Sequence, residues 1–509
     1  MEKLRTIKTA LISVYYKDHL EPIIKSLSEL GVKIYSTGGT EIFIRECGVE
    51  VTPVEELTSF PSILGGRVKT LHPSVFGGIL SRRENSADLE QLAKFNIPEI
   101  DLVIVDLYPF EETLAAGGSH EALIEKIDIG GISLIRAAAK NHNDVLIISS
   151  RNQYAQLEKL LEEEKGVSTL EQRRDFAAQA FHTTSHYDSL IFNYFNTCTT
   201  PQDILKLSIA ESQVLRYGEN PHQKGVFYGR MEDLFTKLNG KELSYNNLVD
   251  IDAAVRLIAE FSEPTFAILK HTNVCGIASC STLIEAWTAA LSADPISAFG
   301  GVLVCNREID AQTALSVHSL FFEVLIAPSY SEEALQILKA KKNRILLLQH
   351  AVNLPVKQYK SILNGIVEQD MDLVIEGPEL MRTVTTVHPT SNQLTDLAFA
   401  LKLVKHTKSN AIILAKNQQL LASGVGQTSR IDALKQAIHK AGVFGFDISG
   451  SVMASDAFFP FPDCVEVAAG AGIKAVVEPG GSVKDQDSID AANRLGIAMV
   501  LTGVRHFKH

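Results

Sequence analysis

The stretch Phe266–Ala278, reading FAILKHTNVCGIA, constrains this chain more than any other. Phe266 to Leu269 is an apolar run with the length and character of a buried strand. It delivers a cation and an imidazole side by side, Lys270 and His271, and a short polar turn is expected from Asn273 to Gly276. A helix start follows, where Thr282 and Glu285 have the spacing of a capping box. A buried strand that hands over to a loop and then a helix fits an open α/β sheet, whose ligands sit at the carboxyl ends of strands. Neighbours on a strand point to opposite faces, so Lys270 and His271 serve one site only if the strand ends there and the backbone bends. The plainer alternative is a surface lysine beside a core histidine.

The same alternation governs the first third of the chain. Thr9–Val14 and Val32–Tyr35 read as strands, with a helix over His19–Leu30 between them. Ser36-Thr37-Gly38-Gly39-Thr40 then precedes a helix that runs to about Cys47. Strand, small glycine-containing loop and helix form a natural phosphate cradle, because glycine lets backbone approach closely and the helix start supplies N–H groups. Gly-Gly in a tight turn also occurs for steric reasons alone. GGRVKTLHP, from Gly65 to Pro73, gathers two glycines, two cations, a hydroxyl and a histidine. Leu102–Val105 is a short apolar strand between Asp101 and Asp106 that runs into Leu107-Tyr108-Pro109-Phe110. Asp128-Ile129-Gly130-Gly131 precedes a helix over Ile132–Ala139, which ends at Lys140-Asn141-His142. A cation in a last helical turn often only compensates the dipole.

These four motifs all fall at strand–helix junctions, so together they describe one anion site with spare lysines. GGRVKTLHP, DLYPF, IDIGG and RAAAKNH resemble the inosine monophosphate cyclohydrolase domain of the bifunctional purine-biosynthesis family. The resemblance implies a methylglyoxal-synthase-like fold, with Lys69, Tyr108, Asp128 and Lys140 around a ring-closing reaction. It also implies nucleotide contacts from Ser13, Lys17, Ser36, Thr37, Gly38, Gly39, Thr40, Arg67, Thr70 and Asp106. Two departures stand out. Members of the family carry Ser-Asp-Lys-Thr-Gly where this chain has Tyr15-Tyr16-Lys17-Asp18-His19, and Asn where it has Asp106. A carboxylate cannot donate the hydrogen bond of an amide, so Asp106 is expected to repel a nearby phosphate.

Arg151–Phe195 reads as two helices, and Asn196–Asp203 is the linker candidate, which divides the chain into 1–198 and 199–509. Beyond it, Asn410–Leu414 is a second apolar strand, followed by Gly424–Arg430 and a helix over Ile431–Ala441. This echo of the Phe266 region suggests an internal duplication. Ser455–Asp463, SDAFFPFPD, sets three phenylalanines around a proline, either as plain core or as an apolar slot for a flat ring.

RYGENPHQ, LSYNN, LKHTNVCG, SAFGG, GQTSR, SDAFFPF and the terminal RHFKH resemble, in order, the formyltransferase half of the same family. That half implies two cytidine-deaminase-like subdomains, in an α/β chain overall. Carried over by position, the resemblance puts Arg216, Tyr217, His271, Gly300, Glu323, Asn410, Arg505 and Phe507 around an aminoimidazole nucleotide. It puts Ile296, Phe299, Arg430, Ile431, Phe458, Asp463, Ser482 and Val483 around a folate, with Lys270 and His271 catalytic. It implies 10-formyltetrahydrofolate as a consumed co-substrate, no tightly bound cofactor and no metal. The zinc deaminase signature H-x-E…P-C-x-x-C is absent from the sequence. Family members form dimers, and a homodimer is the expectation here.

Composition bears on the rivals. A net charge of −12 disfavours a general nucleic-acid or membrane surface, and no run approaches a membrane span. Six scattered cysteines suggest a reducing, cytoplasmic setting. A nucleotide-binding regulatory protein would need the phosphate cradles but not Lys270-His271 with the phenylalanine slot.

Overall fold

The computed structural model describes Lys3 to His509. The chain divides into two compact units, Met1–Ala210 and Glu211–His509. The division falls 12 residues beyond the expected boundary (210 − 198). The helix Leu170–Cys198 runs through the start of the expected linker. The segment after it folds back on that helix: Asn193 donates to the Lys206 carbonyl and His186 meets the Ser208 hydroxyl.

In the first unit, five parallel strands lie in the order Thr52–Pro53, Lys33–Ser36, Thr9–Ser13, Leu102–Val105, Leu146–Ile148. The interior strand Leu102–Val105 is a continuous apolar run, buried at every position, because both faces of the sheet are covered. Strand order reverses between Thr9–Ser13 and Leu102–Val105. The carboxyl ends there, at Ser13 and Val105, open the crevice in which such sheets hold ligands.

The second unit is built on a twelve-stranded sheet. One half runs Ile345–Gln349, Val324–Ala327, Val302–Cys305, Thr265–Lys270, Asn273–Ser279; the other runs Ala498–Leu501, Ala475–Glu478, Val452–Ser455, Ile412–Lys416, Gln419–Gly424. The halves repeat one topology and join antiparallel at Ala278 and Gln419. Helices repeat with them: Tyr245–Ile258 and Ser391–His406 precede the two hairpins, and Leu283–Ala293 and Arg430–Val443 follow them. The duplication suggested by the sequence is therefore present in the fold. One face of the sheet shares a single core layer beneath the two preceding helices. The other face carries a separate core for each half.

The expected polar turn over Asn273–Gly276 is corrected: Asn273–Ser279 is a strand. It pairs back on Thr265–Lys270 across a two-residue turn, with Lys270 opposite Asn273. Val274 and Ile277 fill one core layer and Cys275 the other, which overrides the turn signal of Asn273 and Gly276. The capping box of Thr282 and Glu285 is present at the next helix. Among the described residues, no helix is long and apolar enough to cross a membrane.

Candidate active sites

In the first unit, the loops at the strand-order reversal bring several expected residues together. Thr37 starts the helix Gly38–Glu46 without a side-chain cap, which leaves the first helical N–H groups open to an anion. Gly38 has φ +48, and a Cβ there would lie 3.6 Å from Lys69 Nζ, so the ammonium sits over the helix start. Ser13 Oγ lies 3.3 Å from Thr37 Oγ1. Ser36 is fully buried and its hydroxyl donates to the Ile12 carbonyl at 2.7 Å. Thr40 is likewise engaged, accepting from Val14 N and donating to Val14 O.

Asp128 faces this cradle from the start of the helix Gly130–Lys140. Its Oδ1 accepts from Gly131 N at 2.7 Å, and any side chain on Gly131 would strike the carboxylate. Burial raises the pKa of Asp128, the Asp106 charge adds to this, and the Gly131 N–H and Lys69 oppose it. Burial also raises the Tyr108 phenol, reinforced by the Asp128 charge. Lys17 is lowered by burial and by Lys69, against Asp106, and its Nζ donates to the Tyr15 carbonyl at 2.9 Å. Thr70 is buried beside Gly130.

Asp106 has a different place from the one expected. Its two carboxylate oxygens accept from the backbone N–H groups of Tyr15 and Tyr16, so it ties down the loop after the first strand. The two departures from the family pattern are thus one feature, in which a carboxylate holds the unusual loop. The Tyr15 ring in turn meets Tyr108 edge-on at 5.6 Å, and Lys126 lies over it at 4.9 Å. Three further residues singled out in the sequence have other surroundings. His72 caps the helix Pro73–Leu80, its Nδ1 accepting from Ser74 N at 3.1 Å. Lys140 is at the opposite end of its 11-residue helix from Asp128, about 15 Å along the axis at 1.5 Å per residue. Arg67 is exposed and paired with Glu125.

In the second unit the strand Thr265–Lys270 ends at Lys270. Phe266 and Ile268 pack on one face and Ala267 and Leu269 on the other. Lys270 continues the register of Phe266 and Ile268, and its Nζ donates to the Phe299 carbonyl at 2.6 Å. His271 and Thr272 form the turn, with φ 52 and 64. Two successive left-handed residues make the tight hairpin turn whose twist matches the strands, although such turns favour Asn and Gly. The backbone therefore bends at His271. Asn273 joins this turn to the other half of the sheet: its Nδ2 donates to the His271 carbonyl at 2.8 Å and its Oδ1 accepts from Lys408 N at 3.4 Å.

Lys408 leads into the next group. Arg430 Nη2 donates to Asn410 Oδ1 at 2.8 Å, its Nη1 pairs with buried Asp456, and its Nε donates to the Phe458 carbonyl at 3.1 Å. The carboxyl-terminal segment lies here too: Ser409 exchanges hydrogen bonds with Lys508, and His506 N donates to the Asp456 carbonyl. His506 is buried between Asp372, at 2.6 Å, and Glu376, at 2.9 Å. Its neighbours Arg505 and Phe507 lie against each other, cation over ring at 4.5 Å.

On the Lys270 side, Gly300 takes φ 73 and its N–H donates to the Phe321 carbonyl, while Phe299 and Phe321 pack at 5.0 Å. Glu323 follows, paired with Lys241 at 2.6 Å. A cavity of about 610 Å³ adjoins it, lined by Lys241, Phe321, Glu323 and Arg344 among others. Ile296 and Phe299 are exposed on the same loop.

The phenylalanine slot is smaller than the sequence suggested. Phe459 is 0% exposed and belongs to the core, whereas Phe458 and Phe461 are 36% and 52% exposed. Lys484 lies over the Phe461 ring at 4.6 Å, which brings the Ser482–Val483 loop to this surface. Asp463 and Ile431 stand at the starts of the flanking helices. Burial raises the pKa of Glu478, whose carboxylate accepts from Phe459 N, to about 8. Arg216 stacks on Tyr217 at 4.6 Å, and the Tyr217 carbonyl accepts from Tyr245 N at the start of the helix Tyr245–Ile258.

Sequence reasoning missed Asp250, Asn273, Lys241 and Glu478. One signal was available for the first. Asp250 precedes His271 by 21 residues and Asp396 precedes Asn417 by 21 (271 − 250 and 417 − 396), so the duplication repeats an aspartate ahead of each hairpin turn.

The profile of the AICARFT/IMPCHase bienzyme matches residues 138–440, and that of the MGS-like domain matches residues 19–133. The bifunctional purine biosynthesis protein PurH of Bacteroides thetaiotaomicron is 58% identical over 509 residues, covering 100% of both chains. The protein of that name from Aquifex aeolicus is 49% identical, over 98% of this chain and 100% of its own. That from Bacillus subtilis is 45% identical, over 99% and 100%.

Proposed function

This chain belongs to the AICARFT/IMPCHase bienzyme family, and on that premise we propose how its residues divide the work. It is a bifunctional enzyme of purine biosynthesis, an aminoimidazole carboxamide ribonucleotide formyltransferase and inosine monophosphate cyclohydrolase. A folate-type co-substrate follows from the formyltransferase activity. In our reading that co-substrate is 10-formyltetrahydrofolate, Glu211–His509 performs the transfer, and Met1–Ala210 closes the ring.

Formyl transfer begins when the 5-amino nitrogen of the nucleotide attacks the formyl carbon. The carbonyl oxygen becomes an oxyanion, and the nitrogen must lose a proton. His271 is the base, since imidazole accepts a proton near neutral pH. Lys270 is the cation for the oxyanion. The tetrahedral centre collapses, the bond to folate N10 breaks, and N10 takes a proton as tetrahydrofolate leaves. The observation that carries this reading is the end of the strand at Lys270 and the turn begun by His271, which Asn273 joins to the loop of Lys408. Asn410, Glu323, Gly300, Arg216, Tyr217, Arg505 and Phe507 hold the nucleotide. Arg430, Ile431, Asp463 and the exposed rings Phe458 and Phe299 hold the folate, with Ile296, Ser482 and Val483.

In the ring closure, the carboxamide nitrogen attacks the new formyl carbonyl, and water then leaves. Lys69 stabilises the oxygen charge, and Asp128 and Tyr108, whose proton affinities burial raises, move the protons. The open helix start at Gly38 and Gly39 takes the phosphate.

We further propose a cytoplasmic homodimer. All six cysteines are unpaired. The hairpin Lys357–Ile362 with Gly365–Asp370 is exposed along its length, and Leu363 at its tip is 99% exposed, a surface suited to a second chain.

The test is turnover of the purified chain with the aminoimidazole nucleotide and 10-formyltetrahydrofolate, followed by inosine monophosphate absorbance. Nucleotide binding without product would identify a regulatory protein instead.

A further inference from the structure

We propose that Asp250 is the positioning residue of formyl transfer, holding the His271 turn in the conformation that aims the imidazole. The inference rests on His271 acting as the base.

His271 and Thr272 both occupy the left-handed region; for the β-branched Thr272 this is a strained conformation that persists only where its surroundings hold it. Asp250 provides that hold. It projects from the helix Tyr245–Ile258, and its Oδ1 accepts from Thr272 N at 2.7 Å. The side chain is half-buried, and burial raises its pKa while the Thr272 N–H and the charge of His271 draw it down.

The second half of the duplication shows what the fold itself requires. Asn417 and Gln418 form the corresponding turn, with φ 53 at each, and Asp396 accepts from both N–H groups, at 2.9 and 2.7 Å. Lys416 precedes that turn as Lys270 precedes the first. The aspartate tether is therefore common to both hairpins, and only one of them presents an imidazole. Asp396 serves a turn with Asn at the histidine position, so it is an internal control for stability without chemistry.

The experiment is a double-mutant cycle on the full chain, with formyl transfer, cyclisation of supplied formylated nucleotide and thermal unfolding measured on each preparation. Asp250→Ala is expected to lower the kcat of formyl transfer by about 10- to 100-fold, the scale of a misplaced catalytic group, with KM nearly unchanged and cyclisation intact. In a His271→Ala background the same change should cost nothing further. Asp250→Asn, which keeps an acceptor for Thr272 N–H, should recover most of the rate. Asp396→Ala should lower the unfolding temperature comparably and leave kcat within about threefold, since it loses one tether and no catalytic group. Asp250→Glu keeps the charge but displaces the acceptor, and it should lose kcat even if Asp250→Ala does not fold. An equal loss in the His271→Ala background, an equal kcat loss from Asp396→Ala, or a wild-type rate in Asp250→Glu would each overturn the proposal. Wild-type transfer by His271→Ala alone would instead remove the base on which it rests.

Discussion

The ammonium of Lys270 donates to the carbonyl oxygen of Phe299 at 2.6 Å. That bond holds the cation at the end of the strand, on the loop that leads to Gly300. It is a resting contact with a neutral partner, so a developing oxyanion can take the cation over. Lys270→Ala should therefore depress formyl transfer by about 10²–10³, the cost of losing an oxyanion donor. His271→Ala should cost about 10²–10⁴. Cyclisation of supplied formylated nucleotide should be untouched in both, and a folded His271→Ala enzyme that transfers normally removes it from the mechanism.

Asp106 gives a prediction of the opposite sense to the one its charge alone suggests. Asp106→Asn keeps one acceptor oxygen for two backbone donors, Tyr15 N and Tyr16 N. One buried N–H left unpaired costs about 1–3 kcal/mol. The variant should unfold at lower temperature and show a higher KM for the formylated nucleotide. Tighter binding in the variant would mean that charge repulsion dominates after all.

Lys69 and Lys140 can be separated by position. Lys69 lies beside Gly38 and within the electrostatic reach of Asp128, while Lys140 ends a helix that begins at Gly130. Lys69→Ala should cut cyclisation by about 10²–10³. Lys140→Ala should cost less. Single-turnover cyclisation on both variants checks the order, and the reverse order would show that Lys140 reaches the reaction by a route absent from the isolated chain.

The pH dependence of stability has a defined sign. Burial opposes a charge on His506, but Glu376 and Asp372 outweigh it and raise its pKa above 6.5. A group raised in the folded state contributes fully below its unfolded pKa, and that contribution is lost as pH climbs through the folded value. Burial raises Glu478 from 4.5 to about 8, so its ionisation also disfavours the folded state as pH rises between those values. Thermal unfolding from pH 6 to 9 should show stability falling, with a shallower fall in His506→Gln and in Glu478→Gln. A slope unchanged in both variants would assign it to other groups.

The sequence by itself determined most of the elements and the order of the chemistry-bearing loops. The run Phe266–Leu269 fixed a buried strand because only apolar side chains fill both core layers, and the lysine after it fixed where burial stops. Gly38 and Gly39, at the strand–helix junction, pointed to an anion cradle, and they form the first turn of the helix Gly38–Glu46. The repeated strand, loop and helix suggested the duplication that the sheet topology shows. Tertiary structure decided the rest. Asn273–Ser279 is a strand because of the core it fills, against its local turn signals. Asp250 reaches Thr272 across 22 residues, Arg430 reaches Asp456 across 26, and His506 reaches Glu376 across 130. Local propensity specifies φ and ψ over a few residues and carries no record of such partners. The left-handed turn at His271 is tethered by a carboxylate from a helix packed on the sheet, a partner that local sequence does not reveal.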